Sequence, residues 1–196
     1  MSAGRGAKSW LINSALGHEK IVSKASPNEV PRVNVLGVGI SALNMNTALE
    51  QVLEGASRPG FAGYVTVSGV HGVMESSRDP ELKRIHNRSY LSTPDGMPMV
   101  WVAKWNGQAQ VERVYGPDLM LTVIEATAGA GQKHYFWGGN EGVAEDLAVR
   151  MEGKFPGTEV AGICCPPFRP LTDMEEKELV GQLQEKRPHF LWVGLS

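Results

Sequence analysis

Residues 134–163 read HYFWGGNEGVAEDLAVRMEGKFPGTEVAGI, and the alternation inside this stretch decides the fold class. His134-Tyr135-Phe136-Trp137 is a short apolar run of the kind a buried strand provides, and Gly138-Gly139 breaks it. Asn140 is placed to cap a helix whose face is Val143, Ala144, Leu147, Ala148 and Met151, with Gly153 as its stop. Thr158 to Ile163 then reads as a second strand. Strand, amphipathic helix, strand is the repeat of a parallel α/β sheet.

Outward from this unit the same alternation continues. Downstream, Thr172-Asp173-Met174-Glu175 is a capping box that opens a helix carrying Leu179, Val180 and Leu183, and Phe190 to Val193 is a last apolar strand after Pro188. Upstream, Leu119, Met120, Val123, Ile124 and Thr127 mark a helix that ends in the Gly129 to Gly131 region. Further back, Val33 to Val38 reads as a strand, and a helix capped by Asn44 carries Met45, Leu49, Val52, Leu53 and Ala56. Tyr64 to Ser68 is a β-branched strand bounded by glycines. Two short helices follow, over about Val70 to Ser76 and from Asp79-Pro80 onward. The expected architecture is α/β, Rossmann-like: a mostly parallel, doubly wound sheet with helices on both faces.

Composition narrows the class of function. The 196 residues are 42% hydrophobic and 20% charged with a formal net charge of −2, an ordinary globular balance without the basic stripe that nucleic acid requires. No apolar run approaches the ~18 residues of a membrane-spanning helix, and the first 20 residues lack the apolar core of a secretory signal, so a cytoplasmic location is expected. Residues 1–31 lack sustained periodicity and are expected to form a loose arm; its bias of Arg5, Lys8, Lys20 and Lys24 over Glu19 suits a solvated tail or adsorption to an anionic membrane. The adjacent Cys164 and Cys165 are read as reduced thiols at a strand end, because a vicinal disulfide is strained and metal sites use spaced ligands. His71, His86 and His134 show no metal-ligand spacing, so no metal site is expected.

Chemistry concentrates in Ser92 to Met120, STPDGMPMVWVAKWNGQAQVERVYGPDLM. Asp95 sits in a Gly/Pro turn ahead of a short apolar helix beginning near Pro98, whose positive end favours an ionised carboxylate. It is a general base, or a turn aspartate satisfying local N–H groups. Arg113 pairs with a phosphate, or with Glu112 or Asp118. Val100, Trp101 and Trp105 read as core. Two glycine runs compete as nucleotide sites. Gly37-Val38-Gly39-Ile40-Ser41-Ala42 matches a dinucleotide fingerprint after a strand, yet the helical stripe starts only near Asn44 and the next strand ends without an acid. Gly138-Gly139-Asn140-Glu141-Gly142 opens a helix and suits a diphosphate, or is a plain βα turn.

In order, Val65-Thr66-Val67-Ser68, TPDGMPMVWVAKWNG, Glu112 to Met120, and Phe136-Trp137-Gly138-Gly139 with Gly142-Val143-Ala144-Glu145 resemble the WecG/TagA/CpsF family of bacterial glycosyltransferases, from about Val33 to the end. The resemblance implies an inverting, metal-independent transfer of a hexose or N-acetylhexosamine such as N-acetylmannosamine. The sugar would move from a UDP-sugar to a polyprenyl-diphosphate-linked saccharide in teichoic acid or other cell-surface polysaccharide assembly, without a cofactor. It implies Asp95 as the base and Thr66, Ser68, Gly96, Arg113 and Asp118 around the donor. Gly138, Gly139 and Gly142 would hold the nucleotide end. It also implies peripheral attachment to the inner face of the cytoplasmic membrane, and a homo-oligomer is compatible with it. The family has asparagine where Ser68 stands, and continues beyond the last strand with a Pro-Lys-Gln-Glu-type segment and a membrane-reaching appendage. Residues 32–196 are therefore expected to be a glycosyltransferase domain lacking the family's C-terminal part. The rival readings are an NAD(P)-dependent oxidoreductase, resting on the GVGISA run, and a truncated fold that binds a nucleotide sugar without turnover.

Overall fold

The computed structural model describes residues 30–194, so the arm expected over residues 1–31 lies, but for its last two residues, outside the described residues. Within the described residues the chain forms two compact units, 30–126 and 127–194.

The first unit begins with β1 (Arg32–Val35) and β2 (Val38–Ser41), an antiparallel hairpin. The single strand expected over Val33 to Val38 is thus interrupted. Leu36 (φ 53°) and Gly37 (φ 89°) take the left-handed conformations of a two-residue hairpin turn, and Asn34 Oδ1 accepts from Gly37 N at 2.8 Å. α1 (Met45–Ser57) follows, capped by Asn44 through Thr47 N as expected. β3 (Val65–Ser68) leads to α2 (Val70–Ser76) and then α3 (Pro80–Arg88), whose cap Asp79 accepts from Glu81 N and Leu82 N.

Next comes β4 (Leu91–Pro94), parallel to β3 and buried at all four positions. Its sequence, Leu-Ser-Thr-Pro, carries no strand pattern, and the Gly/Pro turn expected around Asp95 begins only after it. α4 (Met97–Trp105) buries Met99, Val100 and Ala103 against the hairpin and Val73. That choice of inward face turns the opposite side to solvent: Trp101 is 50% and Trp105 81% exposed, so neither belongs to the core, whereas Val100 does. α5 (Gly116–Thr127) closes the unit and buries Leu119, Val123 and Ile124.

The second unit is a three-stranded parallel sheet in the order β6-β5-β7, made of β5 (Lys133–Gly138), β6 (Glu159–Cys164) and β7 (Phe190–Gly194). α6 (Val143–Lys154) and α7 (Asp173–Lys186) make the crossovers. Both halves of the α7 capping box form, Thr172 to Glu175 N and Glu175 back to Thr172 N. Gly142, not Asn140, caps α6, and Gly153 lies inside that helix. Cys164 and Cys165 are free thiols at the end of β6. Parallel strands joined through surrounding helices make this an α/β, Rossmann-like fold.

A buried histidine sits in this sheet. His134 is fully buried and stacks on Phe190, with ring centroids 5.1 Å apart. Trp192 Nε1, which can only donate, reaches His134 Nδ1 at 3.1 Å, so the proton of the neutral ring is on Nε2 and is given to Thr127 Oγ1 at 2.9 Å. Burial, aided by the nearby His189, lowers the His134 pKa to about 4. An unfolded chain takes up a proton as pH falls through the ordinary value of 6.5, whereas the folded chain does so only near 4. Stability should therefore fall as pH drops through that window, by up to ~3 kcal/mol from this group. Urea midpoints measured from pH 7 to 4.5 should fall more steeply for the native chain than for His134→Gln.

Candidate functional site

The first unit assembles a polar site at the carboxyl ends of β3 and β4. Parallel pairing sets Ser68 opposite Pro94, and the next residue, Asp95, donates its N–H to Ser68 O at 3.1 Å. Gly96, at φ 95°, then turns the chain directly into α4 without a side-chain cap, which leaves Asp95 just ahead of a helix N-terminus. The returning segment is tied to the same edge by Val114 N to Pro94 O at 2.9 Å. This brings Arg113 alongside: its Nε donates to Asp95 Oδ1 at 3.3 Å, and its guanidinium lies 4.6 Å from the Tyr115 ring centre. Arg113 thus takes neither of the protein partners expected from the sequence, Glu112 and Asp118, but Asp95, which was not among them. Asp118 is exposed in the first turn of α5, and Gly116 starts that helix so close to Val67 that a Cβ would stand 3.0 Å from its Cγ2.

Beneath this edge lies a buried hydroxyl network. Ser68 Oγ is 2.7 Å from Ser92 Oγ and 3.0 Å from His86 Nδ1, and it reaches Thr66 Oγ1 at 3.3 Å. Ser41 Oγ accepts from Ser92 N at 3.0 Å, and Ser89 Oγ donates to His86 O at 2.6 Å. Burial lowers the His86 pKa below its ordinary value, favouring the neutral ring among these hydroxyls. Ser68 is thus fully enclosed, and Thr66 is half-buried on the same face. Sequence reasoning assigned no part to His86, Ser92 or Tyr115. Tyr115 stands inside the motif Glu112 to Met120, but only the fold turns its ring under Arg113.

The GVGISA run contributes no dinucleotide site. Gly37 lies in the hairpin turn and Gly39 in β2, so the strand–turn–helix that a pyrophosphate needs is absent at this run.

In the second unit Gly138 ends β5, and Gly139 and Gly142 lie between it and α6. Gly138, at φ 131°, is there for close approach: a Cβ would stand 2.2 Å from Gly194 O, the atom that accepts from Gly139 N at 3.1 Å. Gly142, at φ 85°, caps α6 without a side chain, while Glu145 and Asp146 occupy the first turn. At the carboxyl ends of β5 and β6 is a small cavity of about 140 Å³, bordered by Trp137, Cys164, Cys165, Leu171, Leu179 and Gln182. Burial raises the Cys164 thiol pKa, which makes it a poor nucleophile. A larger opening of about 530 Å³ lies at the opposite, amino ends of these strands by Lys133 and Glu159, where α/β sheets do not place ligands.

The model of the glycosyl transferase WecG/TagA/CpsF family matches residues 33–196. The chain belongs to this family. A curated relative is the N-acetylglucosaminyldiphosphoundecaprenol N-acetyl-beta-D-mannosaminyltransferase of Bacillus spizizenii (strain ATCC 23059 / NRRL B-14472 / W23), 22% identical over 122 residues. That alignment takes in 62% of this chain and 46% of the relative, under half its length. The WecG/TagA/CpsF match includes both the Asp95–Arg113 edge and the Gly138–Gly142 turn.

The two glycines are separable by substitution. Gly138→Ala should cost about 2–3 kcal/mol, because backbone atoms of Gly194 must shift, whereas Gly142→Ala, with nothing within 4 Å of its Cβ, should cost only the ~1–2 kcal/mol of a left-handed non-glycine residue. Urea denaturation of both variants checks the order.

Proposed function

We propose that this chain is the catalytic core of an inverting glycosyltransferase of cell-surface polysaccharide or teichoic acid synthesis. It moves a hexose or N-acetylhexosamine, N-acetylmannosamine being the example in the relative's name, from a UDP-sugar to a polyprenyl-diphosphate-linked saccharide. The observation that carries this reading is the Asp95–Arg113 pair at the carboxyl end of β4, inside the region of the family match.

In this reading Asp95 accepts the proton of the acceptor hydroxyl as that oxygen attacks the anomeric carbon on the face opposite the diphosphate. The bond from that carbon to the diphosphate oxygen breaks, UDP leaves with the electron pair, and the configuration inverts. Base assistance of this kind contributes roughly 10²- to 10⁴-fold. Charge developing on the departing diphosphate is met by Arg113 and by backbone N–H groups. Gly138, Gly139 and Gly142 serve the nucleotide end. Glu145 and Asp146 in the first turn of α6 complement that helix's dipole. Ser68 acts through the shape of the β3–β4 edge, Gly96 through the turn behind Asp95, and Thr66 and Asp118 border the donor. In this reading the lipid-linked acceptor is met peripherally; among the described residues no helix is long and apolar enough to cross a membrane.

Isothermal titration should give saturable binding of UDP and none of NADH; the reverse result would sink the transferase reading. In a transfer assay with a lipid-diphosphate acceptor, Asp95→Asn should lower the rate by roughly 10²- to 10⁴-fold while leaving UDP affinity nearly unchanged. An unchanged rate would place the base elsewhere.

A further inference from the structure

Arg113 is held from two directions. Its Nε donates to Asp95 Oδ1 at 3.3 Å, and its guanidinium carbon lies over the Tyr115 ring, 4.6 Å from the ring centre. Among the described residues the bond to Asp95 is its one hydrogen bond, so both terminal amino groups are left for a ligand. The Arg113 side chain is half exposed, and an arginine held only by one exposed ion pair would sample many rotamers. Tyr115 removes that freedom: Val114 N is fixed to Pro94 O on one side of it, and Gly116 is fixed against Val67 on the other.

We propose that Tyr115 is a positioning residue, a ring platform that keeps the Arg113 guanidinium beside Asp95 with its terminal amino groups presented to the diphosphate of the donor. The proposal rests on the nucleotide-sugar reading above for the identity of the ligand, but the platform itself is a property of the free protein. The ring face, not the phenol hydroxyl, does the positioning, because attraction between a guanidinium and an aromatic ring arises from the ring's electron-rich face.

The test compares Tyr115→Phe with Tyr115→Leu by two readouts. In the first, the Arg113 Hε–Nε signal is followed by NMR without ligand and assigned by its loss in Arg113→Lys. The ring should shift it upfield in the native chain and in Tyr115→Phe, with the shift lost in Tyr115→Leu. In the second, UDP affinity by isothermal titration should stay within twofold for Tyr115→Phe and weaken about three- to fivefold for Tyr115→Leu, the size of a half-exposed contact of this kind. Melting temperatures should match, since Tyr115 is 38% exposed. An unshifted Hε signal in the native chain overturns the platform, as does native UDP affinity in Tyr115→Leu. If the native chain binds no UDP, the nucleotide reading fails, and the NMR comparison still decides whether Tyr115 holds Arg113.

Discussion

The hydrogen bond from Asp95 N–H to Ser68 O is the constraint on which the candidate site depends. It extends the parallel pairing of β3 and β4 one residue past the strand and fixes where the Asp95 side chain begins. Everything nearby is registered to that edge. Gly96 sends the chain into α4, and Val114 N on Pro94 O returns Arg113 to the same end. A parallel pair buried on its inner face would ordinarily be filled with Val and Ile. Here Thr66, Ser68 and Ser92 take those places, and the cost of burying their hydroxyls is offset by bonds among themselves and to His86. Such a network tolerates few arrangements, which keeps the edge rigid.

The second unit solves a similar problem with glycine. At Gly138 the end of β5 meets the end of β7 so closely that no side chain fits, and Gly194 O is met by Gly139 N. The turn is therefore shaped first by strand packing. Gly142, at the start of α6, caps that helix without placing a side chain in front of it. Close strand packing and an uncovered helix start thus fall on different glycines of one βα turn.

The elements most legible in the sequence were those with local causes. Asn44, Asp79 and Thr172 cap helices where their side chains reach N–H groups two or three residues on, an arrangement written in the spacing itself. Apolar periodicity marked α5 and α7, and continuous apolar runs marked β5 and β7. What was not legible had distant causes. β4 is Leu-Ser-Thr-Pro and becomes a strand only because β3 and Ser41 supply partners 24 to 51 residues away. The hairpin at Leu36-Gly37 was hidden because the apolar run continues across the turn. Trp101 and Trp105 were misplaced because α4 is apolar all round, so its sequence does not say which side faces in.

By itself the sequence determined the α/β class, the helix boundaries set by caps, and the ordered motifs around Asp95, Arg113 and Gly138 that mark the WecG/TagA/CpsF family. These follow from local hydrogen bonding and periodicity, or from residue identity alone. Tertiary structure decided which partner Arg113 takes, that Tyr115 lies beneath it, and that Ser68 faces inward to His86 and Ser92. Those choices rest on strand register and on the return path of residues 106–115. Both are settled by burial and backbone pairing between residues far apart in the chain, which no local pattern encodes.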